Sequence, residues 1–250
     1  MKKIILAISI FFTSYILASD IKPVPFVGVK SESAEYSAIC NYVKKYCGKN
    51  NHDKIWKKKN NPDEIFIVTS SRILVRIKSG AGYSVSQVWD FSDYTMKDSL
   101  DDDGEDLSDS GINIFPALYP LSETKNAVAL VQKWSTSYSG GGKEMDLADF
   151  IMLNEDGTYK TVFSKIPFYS RERIKACFSD SDYAKKLHCY DESWSILDIS
   201  IIDNGSEFYS WELITTSYNW PAFVDKSKMK KDIDKKLLYP FKMLENASIG

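Results

Sequence analysis

Trp194-Ser-Ile-Leu-Asp-Ile-Ser-Ile-Ile-Asp-Asn-Gly205-Ser-Glu-Phe-Tyr-Ser-Trp-Glu-Leu213 reads as two strands joined by a turn, and the fold follows from it. Its side chains select a pairing. A two-residue loop at Asn204-Gly205 would set Trp211 opposite Asp198 and Leu197 opposite Glu212, mixing apolar with charged on both faces. A type I turn over Ile202 to Gly205, with Gly205 left-handed at a bulge, sets Leu197 opposite Trp211 and Ile199 opposite Tyr209. The second register gives one coherent apolar face and is the one expected. Met145-Asp-Leu-Ala-Asp-Phe-Ile-Met-Leu-Asn-Glu-Asp-Gly157-Thr-Tyr-Lys-Thr-Val-Phe163 repeats the style, with Gly157 in the same left-handed role. No third copy follows, so the likeness is a turn rule and not a repeat array.

Between the hairpins lie Cys177 and Cys189, and Cys40 and Cys47 stand near the start. The chain opens with Met1-Lys2-Lys3, an apolar run from Ile4 to Leu17 and small residues at Ala18-Ser19, the three parts of a secretory signal peptide. The run is shorter than the ~20 residues a spanning helix needs. Residues 1–19 are therefore read as a signal, and residues 20–250 as a single β-rich exported domain, periplasmic or secreted. In that compartment an even number of cysteines reads as disulfides, and the local pairings 40 with 47 and 177 with 189 are expected. Seven residues of regular helix span about 10.5 Å, so the first pair requires the helix to end before Cys47.

Composition narrows the partners. Removing Lys2 and Lys3 takes the net charge from −2 to −4, which argues against nucleic acid. Fifteen tyrosines, 13 phenylalanines and 6 tryptophans suit sheets and interfaces.

Outward from the two hairpins, Ser33 to Tyr46 has helical spacing with a serine cap. The Lys-rich stretch from Lys44 to Lys59 reads as a solvated helix end and loop. Ile65–Thr69, Arg72–Lys78 and Tyr83–Trp89 form a meander; Ile112–Tyr119 is an edge strand or bulge at Pro116, and Asn126–Trp134 a strand. Tyr138 to Lys143 is a glycine-rich hairpin tip. It is no phosphate loop, because Gly142-Lys143 leads into Glu144 and another strand. Pro167-Phe-Tyr169 ends a strand, Ser170–Lys175 has the look of a helical turn, and Ser181–Leu187 of another. Asp225–Leu238 carries Met229, Ile233 and Leu237 on one helical stripe. The class expected is mainly β (α+β), an antiparallel meander or sandwich of hairpins with an N-terminal helix and a C-terminal Lys-rich helix.

Chemistry is written in one place, the acidic segment from Asp98 to Asp109. Asp101, Asp103 and Gly104 match three positions of a calcium loop, with Asp106 a further oxygen donor, but Ser99 and Ser110 stand where ligands belong. Calcium is thus a weak candidate cofactor and no other is implied. Asp101, Asp102, Asp103, Glu105 and Asp106 alternatively form a recognition loop for a basic partner. The histidines are His52 and His188; His188 adjoins Cys189, whose expected disulfide removes the nucleophile. No hydrolase, zincin or dinucleotide motif is present.

The reading is an exported, non-enzymatic binding or inhibitor protein of the immunity type, blocking another protein. The alternative is a binder of envelope glycan or surface polymer in which Trp211, Tyr218 and Trp220 stack on sugar rings. A hydrolase with a carboxylate pair is a third option, and the Lys-rich segments offer contact with a membrane surface.

Overall fold

Ala127-Val-Ala-Leu-Val131 and Phe150-Ile-Met-Leu153 lack the alternation of a strand with one wet face, and in the computed structural model both runs are buried throughout. The structure describes residues 21–47, 53–96, 107–184 and 188–242. Among these the strands are β1 (Val24–Gly28), β2 (Lys54–Lys58), β3 (Asn61–Val68), β4 (Ile73–Ser79), β5 (Tyr83–Asp90), β6 (Ser108–Ile114) and β7 (Ala117–Pro120). They continue with β8 (Asn126–Tyr138), β9 (Gly141–Leu153), β10 (Tyr159–Lys175), β11 (Tyr190–Ile202), β12 (Ser210–Trp220) and β13 (Lys230–Leu238). The helices are α1 (Ala34–Tyr42) and α2 (Asp180–Ala184). The strand order is β13-β12-β11-β10-β9-β8-β7-β1-β2-β3-β4-β5, with β6 also on β8, and the pairings are antiparallel.

That order folds over itself into three layers. Phe66, Leu74 and Trp89 of β3–β5 pack on Val128, Leu130 and Ile151 of one face of the β8–β9 pair. The opposite face, through Ala129, Val131, Ala148 and Phe150, packs on Ile199, Ile201, Trp211 and Leu213 of β11 and β12. The β8–β9 pair is therefore a middle layer, which is why its sequence is apolar without a break. Outside β3–β4, α1 sets Ile39 against Ile65, Ile67, Val75 and Ile77. Ser33 caps α1 by accepting from the Tyr36 amide at 3.1 Å. The chain leaves the helix at Val43 into a tight turn, Lys44–Tyr46, and this brings the Cα atoms of Cys40 and Cys47 to 5.5 Å in a disulfide.

Between β9 and β10, Asn154 to Gly157 makes the tight turn with Gly157 at φ +85. The tip leans on β5: the Trp89 indole donates to the Asn154 carbonyl at 2.8 Å, and Arg76 pairs with Glu155. Buried Asp149 accepts from the Tyr94 hydroxyl (2.6 Å) and from the Lys165 amide (2.7 Å), fixing the irregular part of β10.

Several sequence expectations change. Lys230–Leu238 is an edge strand and not the C-terminal helix: the open edge of β12 supplies a ladder of backbone bonds that outweighs the helical spacing of Met229, Ile233 and Leu237. Ser170–Lys175 continues β10 beyond Pro167 rather than turning, because β9 and β11 pair with it on both sides. Part of the Lys-rich stretch is β2, with Ile55 in the core.

The β11–β12 hairpin is also longer-looped than expected. Ile202 pairs with Ser210, and Leu197 meets Thr215 rather than Trp211, a displacement of four residues. Tertiary contacts pull the loop out of the ladder: the Tyr209 amide donates to the Leu121 carbonyl at 2.7 Å, and Phe208 packs on Phe241. Because four is even, every side chain stays on its expected face.

Candidate functional site: the overhanging sheet

The far ends of β9 to β13 run beyond the layers. None of their residues from 141 to 146, 169 to 175, 190 to 196 or 214 to 237 belongs to a core cluster of the described residues. There the sheet is one layer thick, so cross-strand side-chain pairs must supply what a second layer would otherwise give.

Register defines those pairs. Glu144, Arg171, Trp194, Tyr218 and Lys231 form one row across five strands. Asp146, Tyr169, Ile196, Thr216 and Ile233 form the next, and Gly142, Arg173, Glu192 and Trp220 a third on the same face. Contacts follow the rows. Trp194 and Tyr218 stack with centroids 4.9 Å apart, Lys231 lies 5.9 Å from the Tyr218 ring, and Glu192 is shared by Arg173 (3.2 Å) and Arg171 (3.5 Å). Arg173 also covers Tyr190 at 3.5 Å. In the overhanging part of β11–β13 the reverse face carries Asp191, Ser193, Ser195, Ser217, Asn219, Lys230 and Asp232, with no aromatic. Ile196 and Ile233 stand 49 % and 51 % exposed on the aromatic side, an apolar strip on paired strands.

At the edge of this face His188 stacks on Trp220, with centroids 3.5 Å apart, and its Nε2 lies 3.8 Å from Glu192. The Trp220 indole donates to the Val224 carbonyl at 2.8 Å. Cys189 is bonded to Cys177, Cα atoms 5.1 Å apart, so its sulfur is no thiolate and the neighbouring histidine has no nucleophile there.

The sequence-derived sites separate. Tyr218 and Trp220 share the overhang face. Trp211 does not: it is fully buried, at right angles to Phe150 with centroids 5.0 Å apart, and its indole donates to the Pro120 carbonyl at 3.1 Å. A core tryptophan offers no ring to a sugar. Asp101, Asp102, Asp103, Glu105 and Asp106 lie outside the described residues, as does His52. Among the described residues no group of three His, Cys, Asp or Glu side chains could hold a metal ion.

Two hollows bear on catalysis. A cleft of about 660 Å³ at the root of the overhang has Asp146 as its one lining carboxylate among the described residues. Burial lifts the Asp146 carboxyl above the usual range, opposed by Lys133 at 3.6 Å. An open depression of about 450 Å³ beside the Asp203–Tyr209 loop gathers Glu123, Asp203 and Glu207. Neither hollow has a histidine in its lining. The Trp194–Tyr218 stack and the Arg171–Glu192–Arg173 group were invisible before folding, because strand pairing alone assembles them. The alternation around Trp194 and Tyr218 was the available signal.

No described helix is long and apolar enough to cross a membrane, and two disulfides suit an oxidising environment. Comparison with family models, with curated proteins and with solved structures gives no match for this chain.

Proposed function

We propose that this is an exported binding protein of the inhibitor type, and that it engages another folded protein through the aromatic face of the overhang. One observation carries the reading: Trp194, Ile196, Tyr218 and Ile233 are gathered on one face of the overhanging part of β11–β13, with Ile196 and Ile233 half exposed, while the reverse face of that part is polar. Tryptophan, tyrosine and arginine are the residues that dominate binding energy at protein interfaces, and paired strands present them with less ordering entropy to lose than a loop would. The Arg171–Glu192–Arg173 group beside them supplies directional polar contacts for the rim. The acidic segment from Asp98 to Asp109 is a second contact for a basic surface.

The test begins with capture from an envelope extract on immobilised protein, followed by calorimetry with the purified captured partner. Ile196→Asp with Ile233→Asp lowers affinity at least about a hundredfold, since two central contacts of about 2 kcal/mol each are lost. Both sites are half exposed, so the melting temperature stays nearly constant. A partner that binds the double variant as tightly as the parent excludes this face. In a parallel arm, Asp101→Asn, Asp103→Asn and Asp106→Asn together weaken binding if the partner surface is basic.

A further inference from the structure

We infer that the cleft at the root of the overhang binds a small amphipathic anion, an apolar aromatic or acyl body carrying one carboxylate. This site adjoins the aromatic face at Asp146, and the inference does not rest on what that face binds. The cleft lies where β2, the turn from Thr69 to Arg72, the corner between β6 and β7, and the near parts of β8 to β10 converge. Its volume of about 660 Å³ falls in the range that holds a small organic molecule.

Its walls include three aromatic rings, and its positive charges outnumber its one carboxylate. Phe115 and Phe168 meet edge to face, centroids 4.9 Å apart, and Trp56 lines the cleft with them. Phe115 is 38 % exposed although it sits in the hollow, so apolar surface there is left uncovered. Lys54, Arg72 and Lys133 line the same hollow against the single carboxylate of Asp146. Lys133 is already held by Asp146 at 3.6 Å, whereas Lys54 has no ion-pair partner among the described residues. An anionic head group is what this balance accepts, and an apolar body is what the aromatic walls accept.

Arg72 gives a second, independent sign. It adopts φ +63, a conformation that costs a non-glycine residue about 1 kcal/mol or more. Glycine would hold the turn without that strain, but it has no guanidinium to place at the cleft wall. Its guanidinium donates to the carbonyls of Ser92 and Tyr94, which fixes a charged group at the cleft wall. Strained backbone beside a cleft is where preorganised sites concentrate.

The experiment is calorimetric titration of the full chain with 2-naphthoate and with decanoate, and with 2-naphthamide as the neutral match. The carboxylates bind with one-to-one stoichiometry and at least about tenfold more tightly than the amide, and the difference shrinks in high salt. Lys54→Gln with Lys133→Gln reduces the preference for the carboxylate, leaving the part that Arg72 supplies, and leaves amide binding in place; Phe115→Asp weakens both ligands. Unchanged thermal unfolding of each variant shows that the fold is intact. Failure of both carboxylates to saturate at about 1 mM, equal affinity for naphthoate and naphthamide, or carboxylate binding indifferent to the lysine variants each overturns the inference.

Discussion

Replacing Gly157 by alanine separates two effects that a folded turn ordinarily confounds. At φ +85 any L side chain is strained, by about 1–2 kcal/mol. A Cβ at this position would also lie 2.9 Å from the Val88 carbonyl oxygen, a backbone atom of β5 that has little freedom to retreat. Either the β9–β10 tip lifts, loosening the bond from Trp89 to Asn154 and the Arg76–Glu155 pair, or β5 shifts on its layer. Overpacking of that kind adds about 1–2 kcal/mol more. The expected total is about 2–4 kcal/mol, or roughly 4–16 °C in melting temperature for a chain of this size. Gly205→Ala is the control, because Gly205 has φ +72 and nothing within 4 Å of the added carbon. It carries the strain alone, about 1–2 kcal/mol. Urea and thermal unfolding followed by circular dichroism read both variants. Equal losses at the two glycines would refute the close approach of the hairpin tip to β5.

Two further outcomes follow from burial. Trp211→Ala lowers stability by about 3–5 kcal/mol, because the ring is fully enclosed and bonded to Pro120; Tyr218→Ala lowers it by no more than about 1 kcal/mol, and comparable losses in urea unfolding would overturn the division between core and face. Tyr119 is buried against Phe150 and Trp211, and desolvation pushes its phenol well above the ordinary range. An unfolded tyrosine ionises at about 10, so stability that is complete below that pH falls above it by about 1.4 kcal/mol per unit for this group, until the folded phenol also titrates. Tyr94, raised by burial and by its bond to Asp149, adds a second such group. Tyr119→Phe therefore makes the alkaline decline in unfolding free energy shallower, and an unaltered decline would show that Tyr119 is not desolvated.

Local signals carried most of the strand content and both cysteine pairs. Gly157 and Gly205 both adopt the left-handed conformation, Gly157 in the expected tight turn and Gly205 within a longer loop, and the face of each residue in β11 and β12 was readable from alternation. What sequence could not supply was partnership. Tyr209 leaves its ladder for Leu121, a residue far away in the chain, and that single bond resets the hairpin pairing. Met229, Ile233 and Leu237 repeat at helical spacing, yet the vacant edge of β12 makes them part of a strand. Trp211 and Tyr218 fall on opposite faces of β12, and only the layer that closes over one of those faces shows which of the two is core. The candidate face was legible as residue types and illegible as rows, since a row draws one residue from each of four or five strands.

The passage of β9 from the middle layer into the overhang means that one strand spans two thermodynamic regimes. Near Phe150 its amides become available to solvent only through global unfolding, whereas near Gly142 a brief local separation of the strands suffices. Deuterium uptake should therefore rise steadily along a single strand, and the same gradient should appear in β10 and β11. A protein clasped to the aromatic side would slow uptake at the outer end alone, so the gradient itself becomes a label-free gauge of occupancy.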